Sequence, residues 1–198
     1  MAKSALMRIG IFGGTFNPPH VGHLIVAQHV CERLKLDKIF FVPSYISPHK
    51  RKGEEKLAAH RSNMVRTAIK NNPLFASSDE ELKRKGNSYT VDTLDSFHKR
   101  FPGSKLFLII GADNYSDFHT WRNPRQILEL ATLVVMNRPY TKLLSVKKSI
   151  ASKTRFVEVP DIDVSSSTIR KLARRGSAVT YQVPAAVARY MRRHALYR

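Results

Sequence analysis

The chain has 198 residues, 42% of them hydrophobic, with 34 Lys plus Arg against 15 Asp plus Glu, a formal net charge of +19. That composition supports one compact domain with a full core, which excludes disorder, and no apolar run approaches the length of a membrane span. A single cysteine, Cys31, excludes internal disulfides and multi-cysteine metal sites, and points to a reducing compartment, the cytoplasm.

The apolar run Leu6–Phe12, stopped by Gly13-Gly14, predicts a buried strand ending in a tight turn. Val21–Leu34 has helical spacing, with Leu24, Ala27, Val30, Cys31 and Leu34 on one face. Lys38–Val42 predicts a second strand, and the polar stretch Ser44–Glu55 a loop. Leu57–Ile69 predicts a helix whose inward stripe is Leu57, His60, Met64, Val65 and Ala68. A short strand at Leu74–Ala76 follows, then a helix at Val91–Phe101 reached through Thr90. Leu106–Ile110 is the clearest buried strand, ended by Gly111. A helix at Pro124–Leu130, strands at Leu133–Met136 and Phe156–Val159, and helices at Ser165–Arg175 and Pro184–His194 complete the series.

The apolar runs are continuous rather than alternating, so the strands are covered on both faces. The expected fold is therefore α/β: a doubly wound, Rossmann-like parallel sheet flanked by helices, with a small C-terminal helical subdomain. No repeat, low-complexity tract or long linker divides the chain. Residues 1–198 are expected to form one domain, with the helical part at about 165–198.

A pI near 10.4 asks for an anionic partner. The charge is uneven: residues 138–198 carry a net +11, residues 1–137 only +8. Arg170, Lys171, Arg174 and Arg175, and then Arg189, Arg192 and Arg193, recur at helical spacing. This pattern fits a solvated helix face, a field that gathers anions, or a nucleic-acid surface. No zinc finger, RNP-type strand or repeated basic-aromatic pattern is present, so no specific nucleic-acid partner is expected.

In such a sheet, ligands bind at the carboxyl ends of the strands near the reversal of strand order. The first strand is followed by Gly13-Gly14-Thr15-Phe16-Asn17-Pro18-Pro19-His20-Val21-Gly22-His23. Two glycines let backbone N–H groups approach a phosphate, and Thr15 adds a hydroxyl. His20 and His23 stand three apart at a helix N-terminus, so their rings project to one side. A helix N-terminus with two imidazoles is a seat for polyphosphate. The run is neither a P-loop nor a GxGxxG fingerprint. At the far end of the chain, Ser165 or Ser166 can cap a helix, and Arg170 offers a fork of donors to phosphate oxygens.

The run GGTFNPPHVGHL resembles the signature of the nucleotidyltransferases related to class I aminoacyl-tRNA synthetases, whose HxGH motif binds ATP. Val164-Ser165-Ser166-Ser167-Thr168-Ile169-Arg170 is similar to their (I/V)SSTxIR segment, which closes over the ATP phosphates. Three middle segments narrow the resemblance. Val42–Lys50 resembles a PxxxPPHK loop; Ser88-Tyr89-Thr90 with Thr93-Leu94 resembles SYTxxTL; Gly111-Ala112-Asp113 with Trp121 and Ile127-Leu128 resembles a GAD…W…IL stretch. Together they resemble the bacterial nicotinate-nucleotide adenylyltransferase family, over nearly the whole chain from Ile9 to Arg198.

The resemblance implies adenylyl transfer from ATP to nicotinate mononucleotide, giving deamido-NAD and pyrophosphate. It implies catalytic roles for His20, His23, Lys50 and Arg170. The ATP site then takes Gly13, Gly14, Thr15, Phe16, His20, His23, Gly111, Asp113, Arg138, Ser165, Ser166, Ser167 and Arg170. The mononucleotide takes Thr15, Lys50, Ser88, Tyr89, Thr90 and Trp121, with the tryptophan stacked on the pyridine ring. Mg²⁺ is expected to arrive on the ATP phosphates rather than in a protein cage. The histidines are expected to serve either protonated or as N–H donors. A homo-oligomer is compatible with the resemblance, and no membrane partner is expected.

Three positions depart from the pattern: Asn17 where many relatives carry Asp, Ser47 where the loop often has proline, and Ser167 in place of threonine. Three other readings stay open. One is a sister transferase acting on nicotinamide mononucleotide or phosphopantetheine. Another is a nucleic-acid-binding protein on the same scaffold, and the third a structural or regulatory relative that binds NAD-like ligands; intact His20, His23 and Arg170 argue against both non-enzyme readings.

Overall fold

The computed structural model describes residues 6–48, 53–137 and 148–198. In chain order the elements are β1 (Arg8–Gly14), α1 (Val21–Arg33), β2 (Lys38–Pro43), a 3-10 turn at Glu54–Leu57, α2 (Ala58–Ile69) and β3 (Phe75–Ser77). Next come α3 (Glu80–Arg84), α4 (Thr90–Arg100), β4 (Lys105–Gly111), α5 (Ala112–Ser116), a 3-10 turn at Phe118–Thr120, α6 (Pro124–Leu130) and β5 (Ala131–Asn137). The chain closes with α7 (Lys148–Ala151), β6 (Thr154–Glu158), α8 (Ser166–Arg174) and α9 (Ala185–Arg193).

The six strands form one sheet in the order β3-β2-β1-β4-β5-β6, and every neighbouring pair is parallel. This is the doubly wound order, with its reversal between β1 and β4. The register shows how a crevice opens there. β1 pairs with β2 out to Gly14↔Pro43, but with β4 only as far as Phe12↔Ile109. Gly13 and Gly14 are thus the last residues of β1, not a turn after it.

Alternate strand residues feed two cores. Ile9, Ile11, Val42, Leu106, Leu108, Leu133 and Val135 pack against Val91, Leu94 and Phe97 of α4 and Ile127 of α6. Ile39, Phe41, Phe107, Ile109 and Val134 pack on the other face, against Ala27, Val30 and Cys31 of α1 and Val65 and Ile69 of α2. Each fully buried aliphatic side chain contributes about 2 kcal/mol of transfer free energy. Gly10 lies where the layers come closest: a Cβ there would meet Ile39 and Leu36 at 2.9 Å and Ile109 at 3.0 Å.

A third cluster joins Ile169 of α8 and Val187, Ala188 and Met191 of α9 to Met64 of α2. The C-terminal helices therefore rest on the sheet layer through α2. The inward face of α2 differs from the expected stripe: Ala58, Arg61, Ser62, Met64, Val65 and Ile69 are buried, while His60 sits at the edge, bonded to the Tyr190 hydroxyl at 3.0 Å. The turns at α3 and α5 were not expected; each spans five residues, too few to show a period. β6 runs Thr154–Glu158 instead of Phe156–Val159, and Phe156 is exposed.

Candidate active site

Two cavities open at the carboxyl ends of the strands, one on each side of the chain leaving β1. The first, about 410 Å³, is lined by Phe12, His20, Gly22, His23, Gly111 and Asp113, and by Ser165 and Ser166 on its far wall. The second, about 510 Å³, is lined by Gly13, Gly14, Thr15, Ser88, Tyr89, Thr90 and Trp121 among others. His20, His23, Gly111, Asp113, Ser165 and Ser166 of the expected ATP group share the smaller cavity, while Gly13, Gly14 and Thr15 line the larger one with Ser88, Tyr89, Thr90 and Trp121.

His20 is the N-cap of α1 and His23 lies in its first turn, with ring centroids 3.6 Å apart. The His20 backbone N–H donates to His23 Nδ1 at 3.1 Å, so the His23 proton belongs on Nε2. His20 Nδ1 is buried without a partner. His23 therefore offers Nε2–H, and the neutral His20 ring one N–H of its own. Burial lowers the His20 pKa to about 4. Burial, and then the neighbouring His20, lower that of His23 to about 3. In the free protein both are neutral donors at pH 7, so the protonated alternative does not apply to that state. Gly22 permits this packing, since a Cβ there would meet His20 Nδ1 at 3.1 Å and Cε1 at 3.2 Å.

Phe16 reaches neither cavity with its ring. It is 3% exposed and packs edge-on against Phe12 and His23, with centroids at 5.6 and 5.1 Å. It offers the site only its backbone, in the left-handed region at φ 49°.

The C-terminal segment closes over the same turn. Ser165 caps α8, its Oγ accepting from the Thr168 N–H at 3.2 Å. Ser166 Oγ donates to the Pro18 carbonyl at 2.8 Å, and Arg170 Nη1 donates to the Asn17 carbonyl at 2.8 Å. Ser167 and Arg170 line neither cavity. Ser167 Oγ lies 3.0 Å from Ser165 Oγ. Gly111 ends β4, and Asp113 stands exposed in α5.

In the larger cavity, half-buried Trp121 is a lining residue and packs beside Phe118 at 5.4 Å. Tyr89 is the N-cap of α4 and Thr90 its first residue. Ser88 Oγ accepts from the Tyr45 N–H at 2.8 Å, tying this segment to the loop after β2. Lys50 and Arg138 lie outside the described residues.

Four residues escaped the sequence reading. Arg61 is fully buried beneath the turn and donates to the Thr15 carbonyl at 2.9 Å and the Tyr45 carbonyl at 3.1 Å. Glu81 lines the larger cavity and accepts from Thr93 Oγ1 at 2.7 Å. Burial raises its pKa, against hydrogen bonds from Thr93 and Ser88 and the charges of Arg84 and Arg61. Ser44 adds a buried hydroxyl with no partner on the same wall. Arg122 lays its guanidinium over the Tyr89 ring at 4.6 Å, at the cavity wall. A charge in a polar run signals a surface position, so nothing in the sequence marked Arg61, Glu81 or Arg122, and a lone serine carries no signal of burial.

Among the described residues, no three His, Cys, Asp or Glu side chains cluster as a metal cage.

The cytidylyltransferase-like family profile matches residues 11–172. A Bacillus pumilus protein named probable nicotinate-nucleotide adenylyltransferase is 40% identical, covering 97% of this chain and 99% of its own length. One of the same name from Clostridium tetani is 40% identical, covering 95% and 98%. The fold is that of the Plasmodium falciparum nicotinic acid mononucleotide adenylyltransferase solved with NaAD: TM-score 0.75 at 20% identity, covering 96% of this chain and 97% of that one. By profile and by full-length identity, the chain belongs to the cytidylyltransferase-like family, in its nicotinate-nucleotide adenylyltransferase branch.

Proposed function

We propose that the chain transfers the adenylyl group of ATP to nicotinate mononucleotide, giving nicotinate adenine dinucleotide (deamido-NAD) and pyrophosphate in NAD biosynthesis. One observation carries the reading: two cavities flank the chain as it leaves β1, one lined by paired imidazoles and the other by a tryptophan and hydroxyls. Two nucleotides meeting phosphate to phosphate need that layout.

A phosphate oxygen of the mononucleotide attacks the α-phosphorus of ATP in line. The bond from that phosphorus to the bridging oxygen breaks, and pyrophosphate leaves with Mg²⁺, which enters as part of the ATP substrate. The nucleophile is already ionised, so no general base is required. Acceleration comes from positioning and from donors aimed at the developing charge. The ring N–H groups of His20 and His23 serve the α-phosphate and the bridging oxygen. The N–H groups of Gly13, Gly14, Thr15 and Phe16 face the phosphates from the end of β1. Ser165, Ser166, Ser167 and Arg170 take the β- and γ-phosphates, while Gly111, Asp113 and Arg138 serve the adenosine side. Lys50 takes the mononucleotide phosphate. Trp121 stacks on the pyridine ring, and Ser88, Tyr89 and Thr90 hold its carboxylate through backbone N–H groups and hydroxyls. A site of donors favours the acid over the amide, whose NH₂ would face other donors.

The whole chain, 1–198, works in this reading as one nucleotidyltransferase domain, its helical part at 165–198 closing the ATP side. The lone Cys31 suits a cytoplasmic enzyme.

The test is pyrophosphate release with MgATP, supplying nicotinate mononucleotide, nicotinamide mononucleotide and phosphopantetheine separately. Turnover is expected on the nicotinate form, at least tenfold better than on the amide, and lost by 100-fold or more in His20→Ala. Equal use of acid and amide would remove the carboxylate argument. Turnover of phosphopantetheine alone would reassign the acceptor.

A further inference from the structure

The turn Thr15–His20 is held at both ends by side chains from distant elements. Arg61 grips its Thr15 end, on the side of the larger cavity. Three groups converge on its Asn17–Pro18 end. Arg170 and Ser166 of α8 donate to the Asn17 and Pro18 carbonyls. The third is the Tyr197 hydroxyl, which donates to Asn17 Oδ1 at 2.5 Å.

Tyr197 is the penultimate residue, lies beyond α9, and lines neither cavity. Its neighbour Leu196 is buried in the C-terminal cluster. Tyr197 has φ 66° and Ala195 φ 49°, left-handed conformations that cost a side-chain-bearing residue about 1 kcal/mol each. The chain end is held in this unfavourable shape by the burial of Leu196 and by the bond to Asn17. Burial also raises the Tyr197 pKa, against the pull of Arg170 and Arg61, so the phenol keeps its proton and remains the donor.

We propose that Tyr197 is a positioning residue for the ATP half of the reaction. It fixes the Asn17 side chain, and so the peptide whose carbonyl receives Arg170 and whose following prolines lead into His20. The effect has a direction. The Thr15 end keeps its own anchor in Arg61, so loss of the phenol loosens the side facing His20, Ser166 and Arg170 and leaves the mononucleotide side in place. The inference rests on the adenylyl-transfer reading above.

The experiment compares the full chain with Tyr197→Phe, with a chain ending at Tyr197 and with a chain ending at Leu196. Michaelis constants are measured for ATP and for nicotinate mononucleotide, and ATP affinity is measured separately by calorimetry without the second substrate. In Tyr197→Phe, kcat/KM for ATP is expected to fall between about 10-fold and 100-fold and ATP affinity to weaken. KM for the mononucleotide should stay within about twofold. Removing Arg198 alone should change nothing, and the chain ending at Leu196 should behave as Tyr197→Phe. A merely destabilised protein has less active enzyme but unchanged Michaelis constants, so that outcome overturns the proposal. So does an equal rise in both constants. If the full chain binds ATP but does not turn over nicotinate mononucleotide, the reaction assignment fails, and Tyr197 is judged on ATP affinity alone.

Discussion

His20 and His23 illustrate how a short motif sets protonation. Their ring centroids lie 3.6 Å apart, which places two like charges in contact if both are protonated. Burial holds the His20 pKa at about 4, and burial followed by the nearby His20 holds that of His23 at about 3, both below the 6.5 of a free histidine. Neutral N–H donors are available throughout the neutral range, with no buried cation to desolvate. The linkage follows in sign. As pH falls through 6.5 the unfolded chain takes up protons that the folded chain refuses until near 4 and 3. The stabilisation is fully present above 6.5 and lost on acidification. The loss is on the order of 1 kcal/mol per pH unit per histidine within that window. Urea midpoints measured from pH 7.5 to 5 should therefore fall more steeply for the native chain than for His23→Gln. Parallel curves would show that His23 is not held neutral by folding.

At the scale of elements, the site depends on α2 as much as on the motifs. Arg61 reaches from that helix to carbonyls on two separate segments, the turn after β1 and the loop after β2. A planar, forked donor can bridge both; an ammonium on a single stem cannot. Arg61→Lys should lose about 2 kcal/mol of stability, from a charge-assisted hydrogen bond. It should also raise KM for the mononucleotide severalfold while changing that for ATP less, the converse of the Tyr197 effect. Thermal melting and the two Michaelis constants test both halves; an unchanged mononucleotide constant would leave Arg61 a purely structural residue. The strands were legible in the sequence because runs such as Leu106–Ile110 are apolar on both faces. The helix starting at Val21 was legible from its period. Arg61 was not, because its partners are backbone carbonyls 46 and 16 residues away, which leave no trace in side-chain pattern. Glu81 was hidden similarly: it sits on a five-residue helix with no period, and its hydrogen-bond donor Thr93 stands 12 residues away. The residue types of the motifs were readable, but not their contacts: Arg170 and Ser166 each donate to a carbonyl of the turn after β1.

The whole molecule carries +19, far more than two histidines and a few arginines need for chemistry. The last 61 residues hold +11 of it, and they include α8, whose Ser166 lines the smaller cavity, and α9, which packs on α2. Among the described residues, no carboxylate lies in ion-pair contact with the exposed Lys171, Arg174, Arg175, Arg189, Arg192 or Arg193. Their field is therefore directed into solvent. Both substrates of the proposed reaction are anions, and such a field raises their rate of arrival without tightening their final contacts. The effect belongs to kcat/KM, and salt screens it over a Debye length of about 8 Å at physiological ionic strength. Raising salt from roughly 20 to 200 mM should lower kcat/KM for ATP severalfold while kcat holds within about 30%. Lys171→Glu with Arg174→Glu, on the solvent side of α8, should flatten that dependence and leave kcat intact. A kcat/KM indifferent to salt would mean that the charge does not serve capture. Tight, salt-sensitive binding of RNA by the native chain, lost in the same double variant, would assign the basic face to nucleic acid instead.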